Sequence, residues 1–306
     1  KNRDSTDGLY VFDTVRGDNK NLRTDDTYDE SAVSGASHGI ISTIGSNSFT
    51  VKNGGSTGDN VGSTGTEDYV AWFWKAGGNK NTYNVDGVGY ASAAAAGLSG
   101  GERALTGCSV NTKLGFSIIS WVNGTTTNPS STRVRHGLNQ VPDLVIYKDR
   151  DSGSSQWAVK METFSNPVRD ELYLETNQAK TTAGVDLYFR DSDYIGHRET
   201  SIGSDGGKII AYCWHNVPGL QKFGSFTGNN ATDGAFIELG FRPSLVWIKR
   251  TGATGHWFII DNKRTKTFNP VDEYAFADIT NVYNPSNGGP AGGIADFLSN
   301  GIKLRE

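Results

Sequence analysis

One motif occurs twice in this chain, as Pro142-Asp143-Leu144-Val145-Ile146-Tyr147-Lys148 and, 101 positions later, as Pro243-Ser244-Leu245-Val246-Trp247-Ile248-Lys249. Both copies are short apolar runs bounded by turn residues, which is typical of buried β-strands. A repeat at this spacing indicates that the chain is built from several copies of one structural unit.

The similarity continues on the C-terminal side of each motif. A strand that opens with tryptophan follows, Trp157-Ala158-Val159 in one copy and Trp257-Phe258-Ile259-Ile260 in the other, and leads to Tyr173 and Tyr274. The order of elements is therefore the same in both copies, and we expect the two to superpose.

A third copy lies at the N-terminus and matches the repeat only from the end of the Pro-x-Leu-Val motif onward. Leu9-Tyr10-Val11-Phe12-Asp13 parallels Phe258-Ile259-Ile260-Asp261, and Asp13 and Asp261 each stand three residues before an arginine. A closing strand, Tyr69–Trp74, corresponds to Ile209–Trp214. We interpret a repeated Asp–Arg pair as a hydrogen-bonded loop anchor.

These matches predict an all-β chain of tandem antiparallel β-sandwich repeats at residues 1–78, 115–221 and 222–306, with residues 79–114 as a Gly/Ala-rich linker or arm. The first repeat lacks its opening strand and the third lacks its closing strand. Because open strand edges invite pairing, we expect flanking sequence or a neighbouring chain to supply the missing strands.

Composition agrees with many short strands and tight turns. The 306 residues include 39 Gly, 12 Tyr, 14 Phe and 7 Trp, and the net charge is −4. No basic patch suitable for nucleic acid and no apolar stretch of about 20 residues for a membrane span is visible. Cys108 and Cys213 lie outside metal-ligand spacings, and we interpret them as buried thiols, with a disulfide as the alternative.

Several longer segments resemble a repeat family of tailed phages, especially marine, cyanophage-type ones. They are Tyr69-Val70-Ala71-Trp72-Phe73-Trp74-Lys75-Ala76-Gly77-Gly78, Tyr212-Cys213-Trp214-His215-Asn216-Val217-Pro218-Gly219 and Asp296-Phe297-Leu298-Ser299-Asn300-Gly301-Ile302-Lys303-Leu304. The resemblance implies lectin-like sandwiches in a virion structural or tail-fibre-like protein, and a third copy that continues beyond Glu306. It brings no catalytic motif.

Aromatic side chains at loop edges are the candidate ligand contacts. Trp121, Trp157 and Trp257 could stack on sugar rings, and His256 precedes Trp257 in a turn. The alternative for each tryptophan is a place in the core of its strand.

The sequence offers little support for a metal or cofactor. The five histidines form no His-x-x-x-His or His-x-His pair, so we predict no metal site and no cofactor. Asp25-Asp26-Thr27-Tyr28-Asp29-Glu30 could supply oxygen ligands to calcium, but its spacing does not match an EF-hand, and acidic surface turns are common.

The preferred functional hypothesis is a non-enzymatic virion protein of the tail-fibre or attachment type, on the extracellular particle, contacting a host cell-surface polysaccharide. The alternative is a capsid or tail decoration or assembly protein without a ligand, and a polysaccharide depolymerase is a distant third. The expected partners are other virion proteins and copies of the chain itself, with a trimer as the preferred assembly.

Overall fold

The computed structural model describes residues 1–30, 39–45, 48–54, 67–78, 81–124, 131–198, 202–203, 205–264, 268–280 and 293–305. Within these ranges the chain contains 22 strands and no helix, so the all-β prediction is confirmed. The strands are β1 (Tyr10–Val11), β2 (Leu22–Arg23), β3 (Ile40–Ile44), β4 (Phe49–Lys52), β5 (Tyr83–Val85), β6 (Val88–Tyr90), β7 (Leu105–Asn111), β8 (Phe116–Val122), β9 (Ser131–Arg135), β10 (Leu144–Asp149), β11 (Ala158–Met161), β12 (Asp170–Tyr173), β13 (Thr181–Thr182), β14 (Tyr188–Arg190), β15 (Tyr194–Arg198), β16 (Lys208–Trp214), β17 (Phe236–Glu238), β18 (Leu245–Lys249), β19 (Trp257–Asp261), β20 (Tyr274–Phe276), β21 (Ala295–Leu298) and β22 (Gly301–Leu304).

The two motifs that define the repeat occupy equivalent strands. β10 pairs with β11 and β11 with β12, all antiparallel, and β18, β19 and β20 pair in the same order. A second, three-stranded sheet accompanies each copy, β14-β15-β9 in one and β17-β22-β21 in the other. The N-terminal copy contributes the hairpins β1–β2 and β3–β4.

Alternating side chains of each main sheet enter different cores, as expected for strands buried on both faces. In β18, Val246 and Ile248 pack toward the small sheet with Phe297 and Ile302, whereas Trp247 packs toward a central core. β10 divides its side chains in the same way between the central core and the core of its own sandwich. The two sheets of the second copy, and those of the third, therefore form a sandwich.

The described residues of the predicted linker, 81–114, belong to the main sheet of the second copy rather than to a separate linker. β5, β6 and β7 extend a nine-stranded sheet of order β13-β12-β11-β10-β16-β8-β7-β5-β6, in which β5 and β7 are parallel. Of the glycines that suggested a linker, Gly87 and Gly97 lie in turns and Gly89 lies within β6. At the β5–β6 hairpin, Asp86 (φ 51°) and Gly87 (φ 88°) both have positive φ, as a type I′ turn requires.

The three copies share one central core and contact one another in a closed cycle. One lysine in each copy donates a hydrogen bond from Nζ to a main-chain oxygen of another copy. The pairs are Lys1 with Thr280 (3.1 Å), Lys148 with Thr27 (3.1 Å) and Lys249 with Asn177 (3.4 Å). The first copy thus contacts the third, the second contacts the first, and the third contacts the second.

A second set of hydrogen bonds follows the same cycle through the central core. They run from Trp157 Nε1 to the Arg23 oxygen (2.7 Å), from Trp257 Nε1 to the Tyr173 oxygen (3.0 Å) and from Thr24 Oγ1 to the Ala277 oxygen (2.6 Å). The tandem repeats are therefore folded against each other around a common centre.

Candidate functional site

The three tryptophans proposed as sugar contacts are core residues. The exposed fractions are 0% for Trp121, 1% for Trp157 and 6% for Trp257. The indole N–H of Trp121 donates to Asn123 Oδ1 (3.3 Å), and the other two make the inter-copy bonds described above. Stacking on a sugar needs an exposed ring face, and these rings have none. The three tryptophans therefore take the alternative role given above, as core residues of their strands.

His256 is the one candidate of the four that reaches the surface. Its side chain is 35% exposed, and Nδ1 lies 2.8 Å from Asp278 Oδ2. The ring packs on Phe276 at a centroid distance of 4.8 Å. Asp278 also accepts the Trp257 N–H (3.0 Å), so His256 completes a turn contact at the start of β19.

A polar cleft of about 210 Å³ lies elsewhere, on the second copy. It is formed where the β5–β6 turn, the 96–98 turn, the segment after β9 and the β14–β15 turn converge. Its apolar lining includes Val85, Ala96 and Leu98. Its polar lining consists of Asp86, Thr112, Arg135, Asn139, Ser192 and Asp193.

Asp86 closes one wall of the cleft. Its N–H donates to the Val110 oxygen (2.9 Å), which fixes the hairpin against β7. Its carboxylate accepts hydrogen bonds from the Thr112 N–H (2.8 Å) and hydroxyl (2.6 Å). This carboxylate is therefore held in place from two sides at the rim.

Arg135 forms the opposite wall. Its Nη1 lies 2.9 Å from Asp193 Oδ1, and its guanidinium stacks 4.9 Å from the Tyr194 ring centroid. Arg135 Nε is buried and has no hydrogen-bond partner among the described residues. The Arg135 side chain as a whole is 30% exposed and lines the cleft, so its other guanidinium N–H groups are the ones that a ligand could reach.

A buried histidine supports this wall from behind. Burial lowers the pKa of His136 to about 4, so the ring is neutral near pH 7. Its Nδ1 lies 3.2 Å from the Leu138 N–H and accepts from it, so Nε2 carries the proton and donates to the Asp191 oxygen (3.2 Å). The Asp191 carboxylate in turn accepts the Asp193 N–H (2.8 Å), which positions Asp193 for Arg135.

A second cavity of about 330 Å³ adjoins the cleft and shares Leu98 with it. Its lining is mostly small and apolar, including Ala93, Ala94, Ala104 and Leu105. Together the two cavities place hydroxyl-binding groups beside a small apolar hollow, which suits a ligand with both polar and apolar faces.

One further titratable cluster, around Lys160, is closed to substrates. Lys160 is 1% exposed, and its Nζ donates to the Asp170 oxygen (2.8 Å) and lies 3.3 Å from Glu171 Oε2. The Tyr173 and Tyr188 hydroxyls donate to the same carboxylate (2.6 and 2.9 Å). Burial lowers the pKa of Lys160 to about 7, but the cluster lies inside the sandwich.

The repeated Asp–Arg pairs are loop anchors, as the sequence indicated. Arg16 Nε donates to Asp13 Oδ2 (2.5 Å), and Arg264 Nε donates to Asp261 Oδ2 (2.6 Å). Each aspartate also accepts the N–H of its own arginine, 2.9 and 3.0 Å away. The proposed calcium ligand Asp25 is instead bound to Arg23 (2.7 Å). In the described part of the chain, no three His, Cys, Asp or Glu side chains are placed to share a metal ion.

Sequence reasoning missed the cleft because its residues lie in segments far apart in the chain. The one local signal was the Asp86-Gly87 pair between two short apolar runs, which predicts a hairpin turn.

Comparison with known proteins gives the family. The chain belongs to the DUF7483 family. This is a domain of unknown function, and the match covers residues 1–306.

No curated protein and no solved structure matches this DUF7483 chain. Among its described residues, no helix has the length and apolar character needed to cross a membrane.

Proposed function

We propose that this DUF7483 chain is a non-enzymatic structural protein of a phage particle, of the tail-fibre or attachment type. We further propose that its polar cleft binds a polyhydroxylated ligand such as a host-surface glycan. The observation that carries the proposal is the partly exposed Arg135 guanidinium in a cleft with carboxylate and amide groups. Sugar hydroxyls both donate and accept, so they can satisfy such a mixed set.

The test is glycan binding by the purified chain, followed by variants. Arg135→Gln removes the guanidinium from the cleft, and Arg169→Gln is a matched control. Arg169 makes a similar surface pair with Asp186 (2.6 Å) but does not line the cleft. A charge-assisted hydrogen bond contributes about 1.5–3 kcal/mol, so the affinity should fall at least about tenfold in Arg135→Gln alone.

Loss of binding in both variants, or no binding to any surface glycan by the parent chain, would contradict this function. A second candidate, a decoration or assembly protein without a ligand, is favoured by one observation. Among the residues that the structure describes, β18 is an edge strand in the third copy, whereas its counterpart β10 is paired on both sides. In that case the chain should bind other particle proteins while Arg135→Gln leaves assembly unchanged.

A further inference from the structure

The polar cleft of the second copy carries one uncompensated negative charge. Its lining holds two carboxylates, Asp86 and Asp193, but only one guanidinium, Arg135. Arg135 Nη1 lies 2.9 Å from Asp193 Oδ1, so these two side chains neutralise each other. Within the described ranges the Asp86 carboxylate forms no ion pair, and the hydrogen bonds that it accepts come from Thr112, which is uncharged.

The Asp86 carboxylate is held in place and can still accept hydrogen bonds from a ligand. The Thr112 N–H donates to Oδ1 (2.8 Å) and the Thr112 hydroxyl donates to Oδ2 (2.6 Å). A carboxylate has about four lone-pair sites, so about two of them remain free. The positive φ of Asp86 and Gly87 fixes this residue in the β5–β6 turn, at the rim of the cleft.

The two walls of the cleft therefore favour different groups on a ligand. A primary ammonium group has three N–H donors and no acceptor, so it complements the charge and the free acceptor sites of Asp86. The Arg135 guanidinium on the other wall repels a cation and donates to hydroxyl oxygens. A ligand carboxylate or sulfate beside Asp86 would meet a like charge that no cation of the wall offsets.

We infer that the ligand of this cleft is an amino sugar with a free amine, whose ammonium group binds Asp86 while its hydroxyls face Arg135. Asp86 is then the residue that determines specificity, and glycans built from uronic or sulfated sugars are rejected. This inference rests on the proposed glycan-binding function and names the class of sugar that the cleft selects.

Three tetrasaccharides test it on the intact chain. Tetramers of glucosamine and of N-acetylglucosamine differ in whether the nitrogen is acetylated, and a tetramer of galacturonic acid supplies the anionic case. In mildly acidic buffer of low ionic strength, we expect the glucosamine tetramer to bind about fivefold more tightly than its acetylated form, as for a partly exposed ion pair. The galacturonate tetramer should not bind, and added salt should reduce the preference for the amine.

The variant Asp86→Asn removes the charge and keeps the turn. Asn-Gly suits a type I′ turn as well as Asp-Gly does, and the Asn Oδ1 can still accept the Thr112 N–H. We expect the preference for the amine to disappear in this variant, while the N-acetylglucosamine tetramer binds as before.

A second variant controls for the charge of the whole chain. The net charge is −4, so a cationic tetramer is attracted to the protein in general. Asp186→Asn removes the same charge at an exposed residue that does not line the cleft, and it should keep the preference for the amine.

Equal affinities for the two glucosamine-based tetramers, tightest binding of the galacturonate tetramer, or the same loss of preference in both aspartate variants would each overturn the inference. So would equally tight binding of trilysine, because the cleft would then accept a basic peptide. If Arg135→Gln still weakens glycan binding in those cases, the proposed function stands and only the amine specificity is wrong. If no surface glycan binds the parent chain, both are wrong.

Discussion

The hydrogen bond between Tyr212 and Asp13 provides a direct measure of how much the contact between copies stabilises the fold. Tyr212→Phe removes one hydroxyl that donates to Asp13 Oδ2 at 2.7 Å, and the ring stays in place at 6% exposure. Burial opposes ionisation of Asp13, but the Arg16 guanidinium and the hydrogen bonds outweigh it and hold the Asp13 pKa below its usual value. The carboxylate is therefore charged at neutral pH.

The expected loss follows from that charge. A hydrogen bond to an ionised group contributes about 1.5–3 kcal/mol, and Asp13 keeps three other donors in the variant, so we expect a loss of about 2 kcal/mol. If the chain unfolds in one step, an unfolding entropy of about 2.1 cal/mol/K per residue converts this loss to a Tm decrease of about 3 °C. Urea unfolding monitored by tryptophan fluorescence measures the same quantity at 25 °C.

Tyr147→Phe is the matched control. Tyr147 is 1% exposed and lies in β10, which neighbours β16, but its hydroxyl makes no hydrogen bond within the described residues. The control should lose less than about 0.5 kcal/mol. Equal losses in the two variants would refute the reasoning, because the effect would then come from packing and not from the contact between copies.

Three further predictions concern the buried polar groups and the core. The pKa of Lys160 is lowered by burial to about 7, so the unfolded chain binds more protons between about pH 7 and 10 and stability rises with pH there. Lys160→Met should reduce that slope by up to about 1.4 kcal/mol per pH unit, measured by urea unfolding at several pH values, and an unchanged slope would contradict it. Trp157→Ala should cost about 3–5 kcal/mol in the same unfolding assay, whereas Val141→Ala, at an exposed residue, should cost little. Cys108 and Cys213 are buried free thiols whose pKa burial raises, to about 12 for Cys213, so a thiol reagent should label both only after unfolding; labelling of the native chain would contradict this.

The internal repeat predicted much of the fold, because apolar runs bounded by turn residues report local structure directly. Leu144 and Leu245 begin equivalent strands, and the tryptophan strands follow in both copies. One alignment was off by two residues. Tyr173 lies opposite Ala158, and Phe276 lies opposite Phe258, so Tyr173 corresponds to Phe276 and not to Tyr274.

Two features could not be predicted in this way. The strands between Tyr83 and Asn111 were hidden by glycines and alanines, which resemble a linker until their partners in the sheet are known. Burial of the tryptophans depends on how the copies face each other, and that information is not local. A ring at the end of a strand has the same sequence signature whether it contacts solvent or another repeat.

The contacts that close the cycle between the copies could not be predicted from individual residues. Lys148 and Lys249 hold equivalent positions near the ends of β10 and β18, where lysine is usually a solvated side chain, yet each donates to a main-chain oxygen of another copy. Because the acceptors are carbonyl groups, residues as different as Thr27 and Asn177 serve equally well. The acceptor side of the interface therefore leaves almost no trace in the sequence.

This cycle also changes the reasons for expecting an oligomer. The oligomer prediction rested on the incomplete sandwiches of the first and third copies, each of which needed a strand from elsewhere, and the choice of a trimer rested on the resemblance to phage attachment proteins. Within one chain, the three copies already cover each other's central faces, so three-fold closure needs no further subunits. Met161 and Phe164 stand where the other copies carry an Asp–Arg pair, so the cycle is closed by apolar packing at one position and by a buried ion pair at the other two.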